Sequence, residues 1–159
     1  MAKRGELIGK MLVLATNAHA GQFDKGGKPY ILHPLRVMSN LNTEDEELQC
    51  IALGHDVIED TDTTYQDLID LGMTARIIDG IRGLTKLPGQ TLDEYKAGVF
   101  ASVDRMLVKK ADLEDNTDIR RLKGITEKDF ERMARYQRFY MEIAQRLASF
   151  AELPPVGPQ

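Results

Sequence analysis

The chain has 159 residues, 25 of them acidic and 21 basic, for a formal charge of -4, and 42% of it is hydrophobic. That size fits one domain with its own core, expected over residues 1–150 with a flexible tail at 151–159, and the acidic balance argues against a nucleic-acid or membrane binder working through bulk positive charge. The single cysteine, Cys50, excludes an internal disulfide, and with no leader pattern and no apolar run near the roughly 18 residues of a membrane span, the chain reads as cytoplasmic.

Almost every patterned segment is helical. Leu7, Ile8, Met11, Leu12, Ala15, Ala18 and His19 recur at steps of three and four, the mark of one helix face, and Gly21 ends the element. The following "GQFDKGGKPY" reads as a turn or loop, and "ILHPLRVMSNL" resumes a helix with Pro34 in its first turn. Thr43 and Glu46 carry a capping-box signature ahead of a buried third helix through Leu48, Ile51 and Leu53, where Cys50 reads as a small core residue. Thr64 with Asp67 suggests another start, Gly72 a stop, "TARIIDGIRGLT" a short helix, and Thr91 with Glu94 a capping box opening helical sequence that runs, with a break, to about Thr117. Thr126 to Phe150 forms a last long helix, whose Met133, Tyr136, Phe139 and Tyr140 pack inward or against a second copy of the chain, which allows a homodimer. No convincing strand alternation interrupts this, and the expected fold is an all-α, irregular multi-helix bundle.

The stretch "ALGHDVIEDTDTT" sets His55 beside Asp56 at the end of an apolar run and follows them one helical turn later with Glu59 and Asp60. Adjacent residues on a helix point about 100° apart, so the first pair shares an ion only if further ligands come from elsewhere. His33 and Asp112 are the candidates, each in a mainly apolar helical context where an unpaired polar group is costly to bury. Two imidazoles and two carboxylates suit Mn²⁺, Fe²⁺ or Zn²⁺ better than Mg²⁺, and a divalent ion that acidifies water and polarises a phosphoryl oxygen points to phosphoester or phosphoanhydride hydrolysis. If the helix persists, Glu59 and Asp60 project from the same side, placed to manage the protons of that water and of the leaving group; a solvated acidic helix end is the competing account. An anionic substrate needs local cations, and Lys25, in the loop before His33, is the best placed of them. His19, on an apolar helical face, reads as a hydrogen-bonded structural residue.

The segments "AHAGQFDKGGKPYILHPLRV", "GHDVIEDTDTT", "GLTKL" and "MLVKKADLEDN", taken together from about residue 15 to 122, resemble in order and spacing the hydrolase domain of the RelA/SpoT family, a branch of the HD-domain phosphohydrolases. The resemblance implies one metal, most often Mn²⁺, on His33, His55, Asp56 and Asp112, catalytic roles for Glu59 and Asp60, and contact of Asn116 with the ribose and phosphate region of a nucleotide. It implies removal of the 3′-pyrophosphate from guanosine tetraphosphate and pentaphosphate, as in stand-alone small alarmone hydrolases. The chain departs from the family in two places: Asp24 stands where an arginine is common, and Leu113 replaces the arginine of "ADRLxNM". These leave the ligand set intact and bear on nucleotide recognition. They keep two other expectations open, an HD-domain phosphatase acting on a nucleoside monophosphate or NADPH and a non-catalytic nucleotide-binding sensor. Nucleic acid and membrane are not expected partners.

Overall fold

The computed structural model describes residues 3–151, so the tail expected at 151–159 lies, apart from Ala151, outside the described residues. Among these the chain is all-helical, the sole strand-like feature being an isolated antiparallel bridge between Phe23 and Pro29. In order come α1 (Glu6–Ala18), α2 (Leu32–Asn40), α3 (Glu46–Gly54), α4 (Val57–Asp60), α5 (Tyr65–Asp70), α6 (Ala75–Leu84), α7 (Leu92–Phe100), α8 (Val103–Asn116), a 3₁₀ turn (Ile119–Arg121) and α9 (Glu127–Ala151). None of these helices is long and apolar enough to cross a membrane.

α3 is the central element. Cys50, Ile51, Ala52 and Leu53 are fully buried, and the helix packs against α1, α2 and α6 and also touches α8. α8 in turn lies against α2 and α9. A close approach of α3 and α6 depends on Gly80, where a Cβ would sit 2.5 Å from Ile51 Cδ1. The apolar positions read from the sequence are thus those that meet, and Cys50 sits among them with its thiol pushed up to about 12 by burial, a core residue rather than a nucleophile.

The caps follow the sequence at most helix starts. Thr64 with Asp67 and Thr91 with Glu94 form complete capping boxes, and Thr74 and Ser102 cap α6 and α8. The expected Thr43–Glu46 box does not form. Asp45 caps α3 instead, accepting from the Glu47 and Leu48 amides, and Glu46 turns away to accept from the Leu7 and Ile8 amides at 2.9 and 3.3 Å, closing the N-terminus of α1. A helix packed alongside offered Glu46 unpaired donors that its own N-cap, already satisfied by Asp45, did not.

A second departure matters more. The helix does not persist through His55 and Asp56: α3 stops at Gly54, Asp56 has φ -106° and ψ -4°, and one further turn, α4, carries Glu59 and Asp60. Glu59 and Asp60 nonetheless stay one turn beyond Asp56: the Asp60 amide donates to the Asp56 carbonyl at 3.0 Å, and carboxylate oxygens of the three lie within 4.8 Å of one another.

Candidate functional site

Three helices deliver the residues singled out in the sequence. His33 lies in the first turn of α2, His55 and Asp56 occupy the α3–α4 break, and Asp112 sits on α8. Ligand atoms of His33, His55 and Asp112 all lie within 4.8 Å of one another, and those of Asp56, Glu59 and Asp60 form a second such group. Asp56 joins the two: its Oδ2 is 3.1 Å from His55 Nε2 and 3.7 Å from His33 Nε2. Asp112 Oδ1 completes the approach at 2.9 Å from His33 Nε2 and 3.5 Å from His55 Nε2.

The imidazoles are oriented by what holds their other nitrogens. His55 Nδ1 is 2.6 Å from the Ala52 carbonyl oxygen, which can only accept, so Nδ1 carries the hydrogen and Nε2 of the neutral ring is a bare lone pair. His33 Nδ1 is 2.6 Å from Asp115 Oδ2, with the same consequence. Two lone pairs thus face two carboxylates, and His55 Nε2 is buried with no hydrogen-bond partner. Such a set suits a cation. In the protein alone, burial pulls both histidines down, yet the hydrogen bonds of His33 to Asp112 and Asp115, and the charges of Asp56 and Asp112 on His55, outweigh it and raise both. Burial pushes Asp56 up, but the His55 charge beside it brings the carboxyl down to about 2.

The carboxylates are held as firmly. Tyr30 donates its hydroxyl to Asp56 Oδ2 at 2.6 Å, Lys109 Nζ donates to Asp112 Oδ2 at 2.8 Å, and Asn116 Nδ2 donates to Asp112 Oδ1 at 2.8 Å. Lys109 is largely enclosed, its ammonium 5.5 Å from the centre of the Tyr95 ring. A cavity of about 40 Å³ lined by His55, Asp56, Glu59, Lys109 and Asp112 lies at the cluster, room for a single ion or water. A mixed nitrogen and oxygen set with this buried lone pair fits a divalent transition ion on His33, His55 and Asp112, with Asp56 within reach.

Glu59 and Asp60 are exposed on α4, beside Asp56, with Glu59 in the wall of that cavity. Glu59 Oε1 accepts from the Lys86 amide at 2.6 Å, which anchors one oxygen and leaves the other free. Asp60 is pushed up to about 6 by burial and by the charges of Asp56 and Glu59.

Two larger cavities flank the cluster. One, of about 340 Å³, is strongly cationic, with Lys86, Lys96, Lys109, Arg135 and Arg138 in its wall beside Glu59. The other, of about 290 Å³, has Phe23, Tyr30, Leu122 and Tyr136 as its apolar and aromatic wall and Lys25, Asn116, Arg121 and Arg132 as polar groups. Lys25 and Asn116 therefore share a cavity, although Asn116 spends its amide on Asp112. Lys25 stands on a tight turn in which Lys28 N donates to Asp24 Oδ1 at 2.9 Å and Gly27 adopts φ 77°. Gly26 next to it would bring a Cβ 2.2 Å from the Arg121 carbonyl oxygen, so only glycine lets the turn lie there. Asp24 is nearly buried and pairs with Arg121 Nη2 at 3.4 Å. Leu113 is fully buried in the core.

Sequence reasoning missed Tyr30 and Asp115. The tyrosine stands in the quoted "KPYILHP", three residues before His33, and its role could have been asked from that nearness. Asp115 reveals itself only through contacts made across the fold. His19 behaves as expected: buried, bonded to Gln22 at 2.8 Å and stacked near Tyr30, apart from the ligand cluster.

Comparison with known proteins finds curated relatives named for the hydrolysis or synthesis of guanosine-3′,5′-bis(diphosphate). The guanosine-3′,5′-bis(diphosphate) 3′-pyrophosphohydrolase of Vibrio cholerae is 36% identical over 153 residues, covering 90% of this chain and 21% of that protein. The bifunctional (p)ppGpp synthase/hydrolase SpoT of Escherichia coli K12 is 36% identical over 146 residues, 86% of this chain and 20% of that one. The corresponding pyrophosphohydrolase of Aquifex aeolicus is 32% identical over 123 residues, 72% of this chain and 18% of its own. The chain spans about one fifth of the length of these curated relatives. Among solved structures, a metazoan ortholog of SpoT that hydrolyzes ppGpp superposes with a TM-score of 0.72 over 90% of this chain and 87% of that one, at 24% identity, a likeness of fold. No protein-family model matches the chain.

Proposed function

We propose that the chain is a member of the RelA/SpoT family, of whose curated members it spans about one fifth, and that it is a metal-dependent phosphohydrolase that removes the 3′-pyrophosphate from guanosine tetraphosphate and pentaphosphate. The observation that carries the reading is the pair of imidazole lone pairs aimed at two carboxylates, with two further carboxylates one short turn away. His33, His55, Asp56 and Asp112 would hold one divalent ion, Mn²⁺ being the choice that the resemblance and the donor set favour. Such an ion supplies a Lewis acid for a phosphoryl oxygen and lowers the pKa of water.

The remaining work falls to side chains. Glu59, fixed at one oxygen by the Lys86 amide, offers its free oxygen as acceptor for the proton of the attacking water. Asp60, whose carboxyl is pushed up to about 6 by burial and by the charges of Asp56 and Glu59, holds a proton more readily than an ordinary carboxylate and is suited to give it to the departing oxygen. The lysines and arginines of the 340 Å³ cavity supply the positive charge that a molecule with several phosphates requires. The aromatic and apolar wall of the 290 Å³ cavity, with Asn116 and Lys25 on it, suits a base and ribose. A nucleotide lying across the cluster would place its base in one cavity and its phosphates in the other.

One observation favours a second reading, phosphate removal from another nucleotide such as NADPH or a nucleoside monophosphate: where the family commonly has an arginine, this wall has Asp24, which engages the neighbouring Arg121 at 3.4 Å. Product identity decides between them. Purified protein is incubated with guanosine tetraphosphate and Mn²⁺, beside a chelated control, and the products are resolved by anion exchange. Metal-dependent GDP and pyrophosphate are expected; intact guanosine tetraphosphate, with inorganic phosphate released from NADPH or a monophosphate, would replace the first reading by the second. Metal-independent nucleotide binding without turnover of any of them would instead leave a sensor.

A further inference from the structure

The two imidazoles of the cluster are held in different ways. His55 leans on a backbone carbonyl, as a histidine at a helix end readily does. His33 has instead a buried, charged partner from another helix, Asp115 of α8. That carboxylate is saturated with donors: His33 Nδ1 at 2.6 Å and Arg121 Nη1 at 2.9 Å meet Oδ2, while Arg36 Nε meets Oδ1 at 2.6 Å. Arg121 also donates to the Asp115 carbonyl at 3.1 Å and to Asn116 Oδ1 at 3.1 Å. Two guanidiniums thus fix the carboxylate in one orientation and favour its ionised form, and the carboxylate in turn fixes the ring.

We infer that Asp115 is a positioning residue for the metal centre: it holds His33 with Nδ1 protonated and Nε2 turned toward His55 and Asp112, and so sets the affinity of that site for a divalent ion. The inference rests on the metal-site reading above. A carboxylate bonded to the far nitrogen of a ligating imidazole also makes the near nitrogen a stronger donor, and loss of such a partner costs about 10- to 100-fold in metal affinity. The competing account is a buried ion pair that staples α2 to α8 and does nothing for the metal.

Metal affinity and fold stability separate these accounts without any assay of turnover. Mn²⁺ binding is measured by competition with a chromophoric chelator for the wild-type protein, Asp115→Ala, Asp115→Asn, Arg36→Gln and His33→Ala, and each is melted without metal. Asp115→Ala is expected to bind Mn²⁺ about 10- to 100-fold more weakly. Asp115→Asn should fall between, because its amide oxygen can still accept from His33 while its amide nitrogen faces the Arg36 donor. Arg36→Gln, which leaves the His33 bond in place, should lower the melting temperature but weaken Mn²⁺ less than Asp115→Ala. Wild-type Mn²⁺ affinity in Asp115→Ala, with His33→Ala weakened, would overturn the inference and leave the metal site standing. Wild-type affinity in His33→Ala would overturn the metal site and this inference with it. If Asp115→Ala does not fold, Asp115→Asn decides on the same scale, wild-type affinity again counting against.

Discussion

Replacing Asp60 by asparagine probes the crowding of negative charge at the mouth of the site. A carboxyl that ordinarily titrates near 4 stands here at about 6, because burial and the neighbouring Asp56 and Glu59 disfavour its charge. The raised value means that the folded state holds the proton more tightly than the unfolded chain. Below about pH 4 both states carry it and the charge costs nothing; from there the cost grows, and above about pH 6 it is complete. A displacement of about two pH units corresponds to at most roughly 3 kcal/mol. Asp60 is exposed, however, so solvent screening reduces this to about 1 kcal/mol, or about 2–4 °C for a chain of this size. In chelator, followed by circular dichroism, Asp60→Asn should therefore melt about 2–4 °C above the wild type at pH 7.5 and level with it at pH 4. With Mn²⁺ restored, its turnover should drop about 10²- to 10⁴-fold. An equal gain at both pH values, or none at pH 7.5, would refute the electrostatic argument.

Glu59→Ala should keep wild-type Mn²⁺ affinity and lose about 10²- to 10⁴-fold in turnover; unchanged turnover at equal metal content removes Glu59 from the proposed mechanism. Arg76 donates to Asp45, Glu47 and Asp104 within 2.8 to 3.1 Å and by its hydrogen bond holds Asp45 below the usual carboxylate range. That lowered pKa makes the stabilisation present above about pH 4 and lost as the pH falls further. Arg76→Ala should then cost about 1 kcal/mol at pH 7 in low salt, after discounting for its partial exposure, and little at 1 M salt, as read from urea midpoints; a cost indifferent to salt would contradict it. Gly80→Ala drives a methyl onto Ile51 and should destabilise by about 1–3 kcal/mol, whereas Gly9→Ala, where a Cβ meets nothing within 4 Å, should stabilise by about 0.5–1 kcal/mol; stabilisation by both would mean that helix propensity and not packing decides.

What the sequence made legible is what local rules govern. Thr64, Thr74, Thr91 and Thr126 announce helix starts because their hydroxyls serve amides within three residues. The gathering of His33, His55, Asp56 and Asp112 was readable too, since buried polar groups on apolar faces need a common partner. Contacts that cross the fold were not. Glu46 satisfied the local pattern of a capping box and was claimed by another helix. Asp115 looks in sequence like one more acid in "ADLEDN", and its partner His33 lies 82 positions away. The break at His55 and Asp56 was equally hidden, because the helical periodicity of "QCIALGHDVIED" runs on without a proline to stop it.

The carboxylate of Glu46 at the head of α1 bears on the order in which the chain assembles. Synthesis proceeds from the N-terminus at about 5–20 residues per second, so α1 is polymerised before the residue that closes its first turn. Until α3 has formed and docked, the Leu7 and Ile8 amides have only water to bond. Formation of α1's opening turn is therefore tied to the central helix rather than to its own sequence, and a fragment of the chain ending before Glu46 would carry that turn frayed.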